Sequence, residues 1–180
     1  MAGWGLRMPQ SLGKHGPMMM RAVMTIVVLF SVSGALAAQD WHRYVNPRFG
    51  TAVDIPAEFT ADGAPAVPGE GKRFKAENGR AMITVWGGPS QSGDFLSEMR
   101  ARIAGEEAEG WAITYRSETP DWASWSGSRA GHVFFAKALS TCQGTQTANV
   151  RLDYPAMDIA RFDDIVTRLG QSLGQDGACF

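Results

Sequence analysis

Ala81 to Gly87 is apolar on both sides at once: Ala81, Ile83 and Val85 alternate onto one face, Met82 and Trp86 onto the other. A strand greasy on both faces lies between two covering layers, so the chain must build a sheet with material above and below it. Arg73 to Ala76 pairs with it across Glu77-Asn78-Gly79-Arg80, and Asn-Gly supplies the two positive-φ residues of a tight type I′ hairpin.

The remaining periodicity supplies the cover. Thr51 to Ile55 alternates and stops at Pro56, and a Gly/Pro/Ala-rich loop follows through Asp62 to Gly71. Asp94 is the expected N-cap of a first helix, with Phe95, Leu96, Met99, Ile103 and Ala104 at helical spacing and a stop at Gly110. Strands resume at Ile113 to Glu118, Trp122 to Ser128 and His132 to Ser140, the last two joined through Gly127-Ser128-Arg129-Ala130-Gly131. Asn149 to Tyr154 turns Val150, Leu152 and Tyr154 inward before Pro155. A final amphipathic helix carries Ile159, Phe162, Ile165, Val166, Leu169 and Leu173, with Asp158, Asp163 and Asp164 early and Arg168 late, as the helix dipole favours. The order strands, helix, strands, helix predicts a single α+β domain: a mainly antiparallel sheet covered by two amphipathic helices.

Ahead of that domain, Met20-Arg21, the apolar run Ala22 to Val32 and the small residues up to Ala38 have the layout of a secretory signal peptide. Ser31, Ser33 and Gly34 break the run before it reaches the roughly 20 residues a membrane span needs, so cleavage after Ala37 or Ala38 is expected rather than a stable membrane anchor. Residues 1–37 are thus read as a leader with an N-terminal extension, and 38–180 as the secreted domain, periplasmic or released. Arg7, Lys14 and Arg21 all fall in the leader, so 14 basic residues remain against 18 acidic ones, a formal charge of −4. Nucleic acid is not an expected partner of such a chain, which shows no basic stripe. Cys142 and Cys179, an even count in an oxidising compartment, read as a disulfide. A reactive Cys142 is the alternative, and no His stands near it in a recognised spacing.

Trp41-x-x-Tyr44-x-Asn46-x-Arg48-Phe49-Gly50 with Val53-x-Ile55-Pro56, Arg73-Phe74 with Glu77-Asn78-Gly79-Arg80-Ala81, and Tyr154-Pro155 before Phe162-Asp163-x-Ile165-Val166-x-Arg168-Leu169 resemble small exported alphaproteobacterial proteins. The opening, an aromatic then Asn, Phe-Gly and a strand ending in Pro, is also similar to PsbP-like α/β/α domains. That resemblance implies a sheet covered by helices, and neither likeness implies a catalytic residue.

Chemistry-bearing motifs are sparse. Gly69, Gly71 and Lys72 do not make a phosphate loop, because Ala66 and Arg73 stand where glycine and Ser/Thr are required. His42 and His132 have no second ligand at i+2 or i+4, so no metal is expected, and no cofactor motif is present. Glu106, Glu107 and Glu109 crowd the end of the first helix and read as solvated surface. Gly88-Pro89-Ser90-Gln91-Ser92-Gly93 approaches the nucleophile elbow of a hydrolase without its final glycine in register.

Tryptophan is the compositional oddity, with Trp41, Trp86, Trp111, Trp122 and Trp125 all outside the leader. Exposed aromatic rings stack on sugars or anchor interfaces. Trp122 and Trp125, with Arg48 or Arg129 as a polar handle, are therefore the candidate ligand-binding residues. Three positions apart, the two rings fall on opposite faces of a regular strand. The expected function is a non-catalytic binding or accessory module of the cell envelope, with an envelope protein or glycan as partner. The alternatives are a small hydrolase using Ser90 or Ser92 with His132, and a structural subunit of an envelope assembly.

Overall fold

Two sheets and two helices organise the chain, in a computed structural model that describes residues 40–63, 71–76 and 78–179. The leader expected over 1–37 and its cleavage point lie outside the described residues. In chain order the elements are β1 (Trp41–Val45), β2 (Thr51–Pro56), β3 (Phe59–Asp62), β4 (Gly71–Ala76), β5 (Met82–Pro89), α1 (Phe95–Ala108), β6 (Ala112–Glu118), β7 (Trp122–Arg129), β8 (His132–Thr141), β9 (Gln146–Pro155), α2 (Ile159–Ser172) and β10 (Gly174–Gln175). The large sheet has seven strands in the order β3-β4-β5-β9-β8-β7-β6, and a small one has the order β1-β2-β10. Every pairing in both is antiparallel.

The doubly apolar strand is β5, which sits inside the sheet between β4 and β9. Only its Ile83 and Val85 face is fully covered; the second layer expected over Met82 and Trp86 is not supplied by α1, which packs on β6 and β7, and both side chains stand half-buried. Ile83 and Val85 are fully buried with Val150 and Leu152 of β9, Val53 and Ile55 of β2, and Phe162, Ile165 and Leu169 of α2. This first core puts α2 and the small sheet on one face of the large sheet. A second core lies on the other face, where Phe95, Met99 and Ile103 of α1 pack with Trp111, Ala123, Trp125, Phe134, Ala136 and Ala138. The α+β order predicted from periodicity is the order observed.

Close approach at Gly87 seats the small sheet. A Cβ built there would stand 2.4 Å from Thr51 Oγ1 and 2.5 Å from Phe49 Cβ.

Turn chemistry departs from expectation in one exchange. At Asn78-Gly79 only Gly79 has a positive φ, and its N–H donates to the Ala76 carbonyl, so this hairpin closes through a wider loop than type I′. The two-residue turn with both φ values positive is Ala130-Gly131, at 48° and 78°, where Arg129 pairs directly with His132. Three elements carry too little pattern to be read in advance: β1, the four-residue edge strand β3, and the two-residue β10.

Candidate functional site

Strand register decides which side chains share a face. Phe134, Ala136 and Ala138, beneath α1, pair with Asp153, Arg151 and Asn149 of β9. Those in turn pair with Met82, Thr84 and Trp86 of β5, and these with Lys75, Arg73 and Gly71 of β4. One continuous surface therefore runs from under α1 out to the β3 edge.

Helix α1 covers only part of it. It packs on β6 and β7 and reaches β9 through side chains. Glu98 is buried and accepts from Arg102 at 2.6 Å, from the Gln91 N–H at 3.0 Å and from the Ser90 hydroxyl at 3.3 Å. Arg102 also donates to Asn149 Oδ1 at 2.6 Å. Arg151 pairs with Glu106 of α1 and with Asp153 beside it on β9, while its guanidinium lies 4.0 Å from the centre of the Phe134 ring. Burial pulls the Arg151 pKa down, and the two carboxylates outweigh it, so the guanidinium stays protonated. Charges desolvated under the helix are thus partnered, which is the condition for their being tolerated.

Beyond this ladder no element packs on the same face of β5, β4 and β3 among the described residues. Trp86, Thr84 and Met82 stand half-buried along β5, with Arg73 opposite Thr84 and Lys75 opposite Met82. Arg73 differs from the arginines beside it. Its Nε is buried with no hydrogen-bond partner, and among the described residues neither Arg73 nor Lys75 makes an ion pair. Asp62 faces Arg73 across the β3–β4 pairing, and no salt bridge joins them. A buried guanidinium N–H without an acceptor costs stability.

The residues singled out from sequence are not brought together. Trp125 is 4% exposed in the core under α1, while Trp122 is half-buried on the opposite face, its ring 5.8 Å from Lys137 Nζ. Burial lowers the Lys137 pKa, and its ammonium donates to the Gly170 carbonyl. Arg129 stacks 4.5 Å over Trp111 and donates to the Glu109 carbonyl, whereas Arg48 lies 4.9 Å over Phe49. Sequence reasoning passed over Arg73, Lys75 and Thr84. Arg73, Lys75 and Thr84 alternate with Phe74, Ile83 and Val85, but Met82 and Trp86 on the same face made cover on both sides the expectation, and that hid them.

The hydrolase alternative needs correction. Ser90 follows Pro89, which pairs with Gln146 at the end of β9 that meets Thr141, whereas His132 begins β8 at its other end. Ten residues of strand separate those ends, about 30 Å at ~3.3 Å per residue. Ser92 donates to the Asp94 carbonyl in the turn before α1, and the nearest polar partner of the His132 ring is the Ala130 carbonyl. Among the described residues His132 reaches neither serine, and the carboxylate that Ser90 meets, Glu98, is already held by Arg102 and the Gln91 N–H. Among the described residues no group of three His, Cys, Asp or Glu side chains could hold a metal ion. No described helix is long and apolar enough to cross a membrane.

Two helices and a mainly antiparallel sheet in these layers define a PsbP/Mog1-like α+β domain. The chain is similar to the solution structure of cyanobacterial PsbP (CyanoP) from Synechocystis sp. PCC 6803, with TM-score 0.58 and 11% identity over 81% of this chain and 98% of that one. It is also similar to the crystal structure of the Saccharomyces cerevisiae Ran-binding protein Mog1p, with TM-score 0.56 and 8% identity over 77% and 96%. A substituted Mog1 gives TM-score 0.57 and 7% identity over 77% and 97%. At such identities the likeness shows the fold and nothing finer. No family model matches the sequence, and no curated protein matches it.

Proposed function

We propose that this chain is an exported, non-catalytic binding module of the bacterial cell envelope, akin to the small alphaproteobacterial proteins its motifs resemble. The observation that carries the reading is the open part of the large sheet, where Trp86, Thr84 and an under-coordinated Arg73 face outward with no cover among the described residues. Aromatic area beside an unpaired guanidinium suits recognition better than turnover, because nothing there activates a nucleophile. Export is supported by the leader-like N-terminus and by the Cys142–Cys179 bridge, which belongs to an oxidising compartment. The fold serves a binding role elsewhere, as the description of Mog1p as a Ran-binding protein attests.

The test is retention of envelope components from periplasmic extract on immobilised full-length protein, compared with Trp86→Ala and Arg73→Gln. Saturable retention by the wild type that falls at least tenfold in both variants supports the reading. Retention that the variants leave intact, or ester or peptide hydrolysis lost in His132→Ala, would overturn it.

A further inference from the structure

Three rows of side chains cross the open surface in register. Gly71, Trp86 and Asn149 form the first, Arg73, Thr84 and Arg151 the second, and Lys75, Met82 and Asp153 the third. From Met82 to Trp86 the floor measures about 13 Å at ~3.3 Å per residue, and from β4 to β9 about 10 Å at ~4.8 Å per strand. That is the footprint of two or three pyranose rings. Gly71 has no side chain with which to cover the indole of Trp86 from the β4 side, and Trp86 is half-buried.

Charge divides this floor unevenly. Arg151 and Arg102 are neutralised by Glu106, Asp153 and Glu98 along the α1 side. Arg73 and Lys75, along the β3 side, make no ion pair among the described residues, although the Asp62 carboxylate stands on the same face across the β3–β4 pairing. An occupant must therefore bring oxygen acceptors with negative charge to Arg73 and a flat, weakly polar face to Trp86, with a hydroxyl for Thr84.

We infer that this surface binds an acidic polysaccharide, a chain of pyranose rings bearing carboxylates, with Arg73 taking the carboxylate and Trp86 stacking on the ring. The inference rests on the binding-module reading and names its ligand class. A planar guanidinium engages a carboxylate through two parallel N–H donors, which an ammonium cannot imitate. An extended acidic peptide would instead seek a strand edge for its backbone, and this site is a face. The formal charge of −4 on the domain does not forbid the contact, since charges beyond ~8 Å are largely screened at physiological ionic strength.

The experiment titrates the protein purified after export with trigalacturonate, its methyl ester and a short polyglutamate, read by calorimetry and amide chemical shifts. Saturable binding of trigalacturonate, weakened about tenfold or more by methyl esterification, by Arg73→Lys and by Trp86→Ala, and reduced by salt, is expected. Arg116→Gln, an exposed arginine on β6, controls for general charge, and matched thermal unfolding establishes that the variants fold. Three results would each overturn the inference: no saturable binding, binding that Arg73→Lys and Trp86→Ala leave unchanged, or polyglutamate bound as tightly as the sugar. If an envelope component is still retained through Trp86 and Arg73 while trigalacturonate fails, only the ligand class falls and the binding-module reading survives.

Discussion

Replacing both Cys142 and Cys179 by Ser should cost about 2–4 kcal/mol of unfolding free energy. The bridge joins residues 37 apart in sequence, and loop-closure entropy at that length is worth about 4 kcal/mol. One feature reduces the loss. Cys142 and Gln143 sit at φ values of 52° and 57°, where a non-glycine residue costs about 1–2 kcal/mol, and freeing the sulfur lets this turn relax. A second feature keeps the effect in the unfolded state. The tail stays tethered when the bridge is gone, because β10 pairs with β2, Asp176 N–H donates to the Gly50 carbonyl and Gln175 Nε2 to the Phe49 carbonyl. Arg43 also holds the Asp176 carboxylate at 2.8 Å. With a urea m-value of about 2 kcal/mol/M, the midpoint should fall by about 1–2 M, with the folded amide spectrum changed only near residues 141–145 and 176–179. A midpoint shift below about 0.3 M, or loss of β10 pairing in the folded double variant, would refute this reasoning.

Ala130→Asn should raise stability by about 1 kcal/mol in the same assay, because asparagine tolerates the left-handed first position of the Ala130-Gly131 turn. Phe134→Ala should cost about 3–5 kcal/mol, since this fully buried ring packs edge-on 4.9 Å from Trp111 and supports Arg151. Arg43 holds the Asp176 carboxyl below its usual range, so the unfolded chain takes the proton more readily. That tail contact is therefore complete above about pH 4 and lost as pH falls below it, which amide exchange at Gln175 and Asp176 should report and Asp176→Asn should abolish. His132→Ala should leave stability within about 0.5 kcal/mol, as expected for an exposed residue beside a turn, and leave retention of envelope components unchanged.

Where the chain repeats apolar residues with a clean period, sequence was sufficient. Ile83 and Val85, Val150 and Leu152, and the Phe162–Ile165–Leu169 stripe of α2 are all in the core that their spacing demanded. Where an element is short or its pattern is set by a distant partner, it was not. β3 and β10 exist because β4 and β2 offer them open edges, information absent from their own four and two residues. The glycine turns show the same limit: Asn78-Gly79 has the favoured sequence for type I′, yet the wider loop wins, while the tight turn falls on Ala130, which carries no such signal. Trp122 and Trp125 are split between faces, as their spacing implied. The open surface stayed hidden for a different reason. Which strand face remains uncovered among the described residues depends on where α1 lies, and α1 sits over β6 and β7 rather than over β4 and β5.

The central claim is that the face of β4 and β5 left uncovered among the described residues is where this protein meets its ligand. Amide chemical-shift mapping of the isotope-labelled chain against fractionated envelope material tests it most directly. Perturbations should concentrate at residues 71–75 and 82–86 and vanish with Arg73→Gln. Shifts centred instead on Trp122, Arg129 or Arg48, with 71–75 and 82–86 silent, would contradict it.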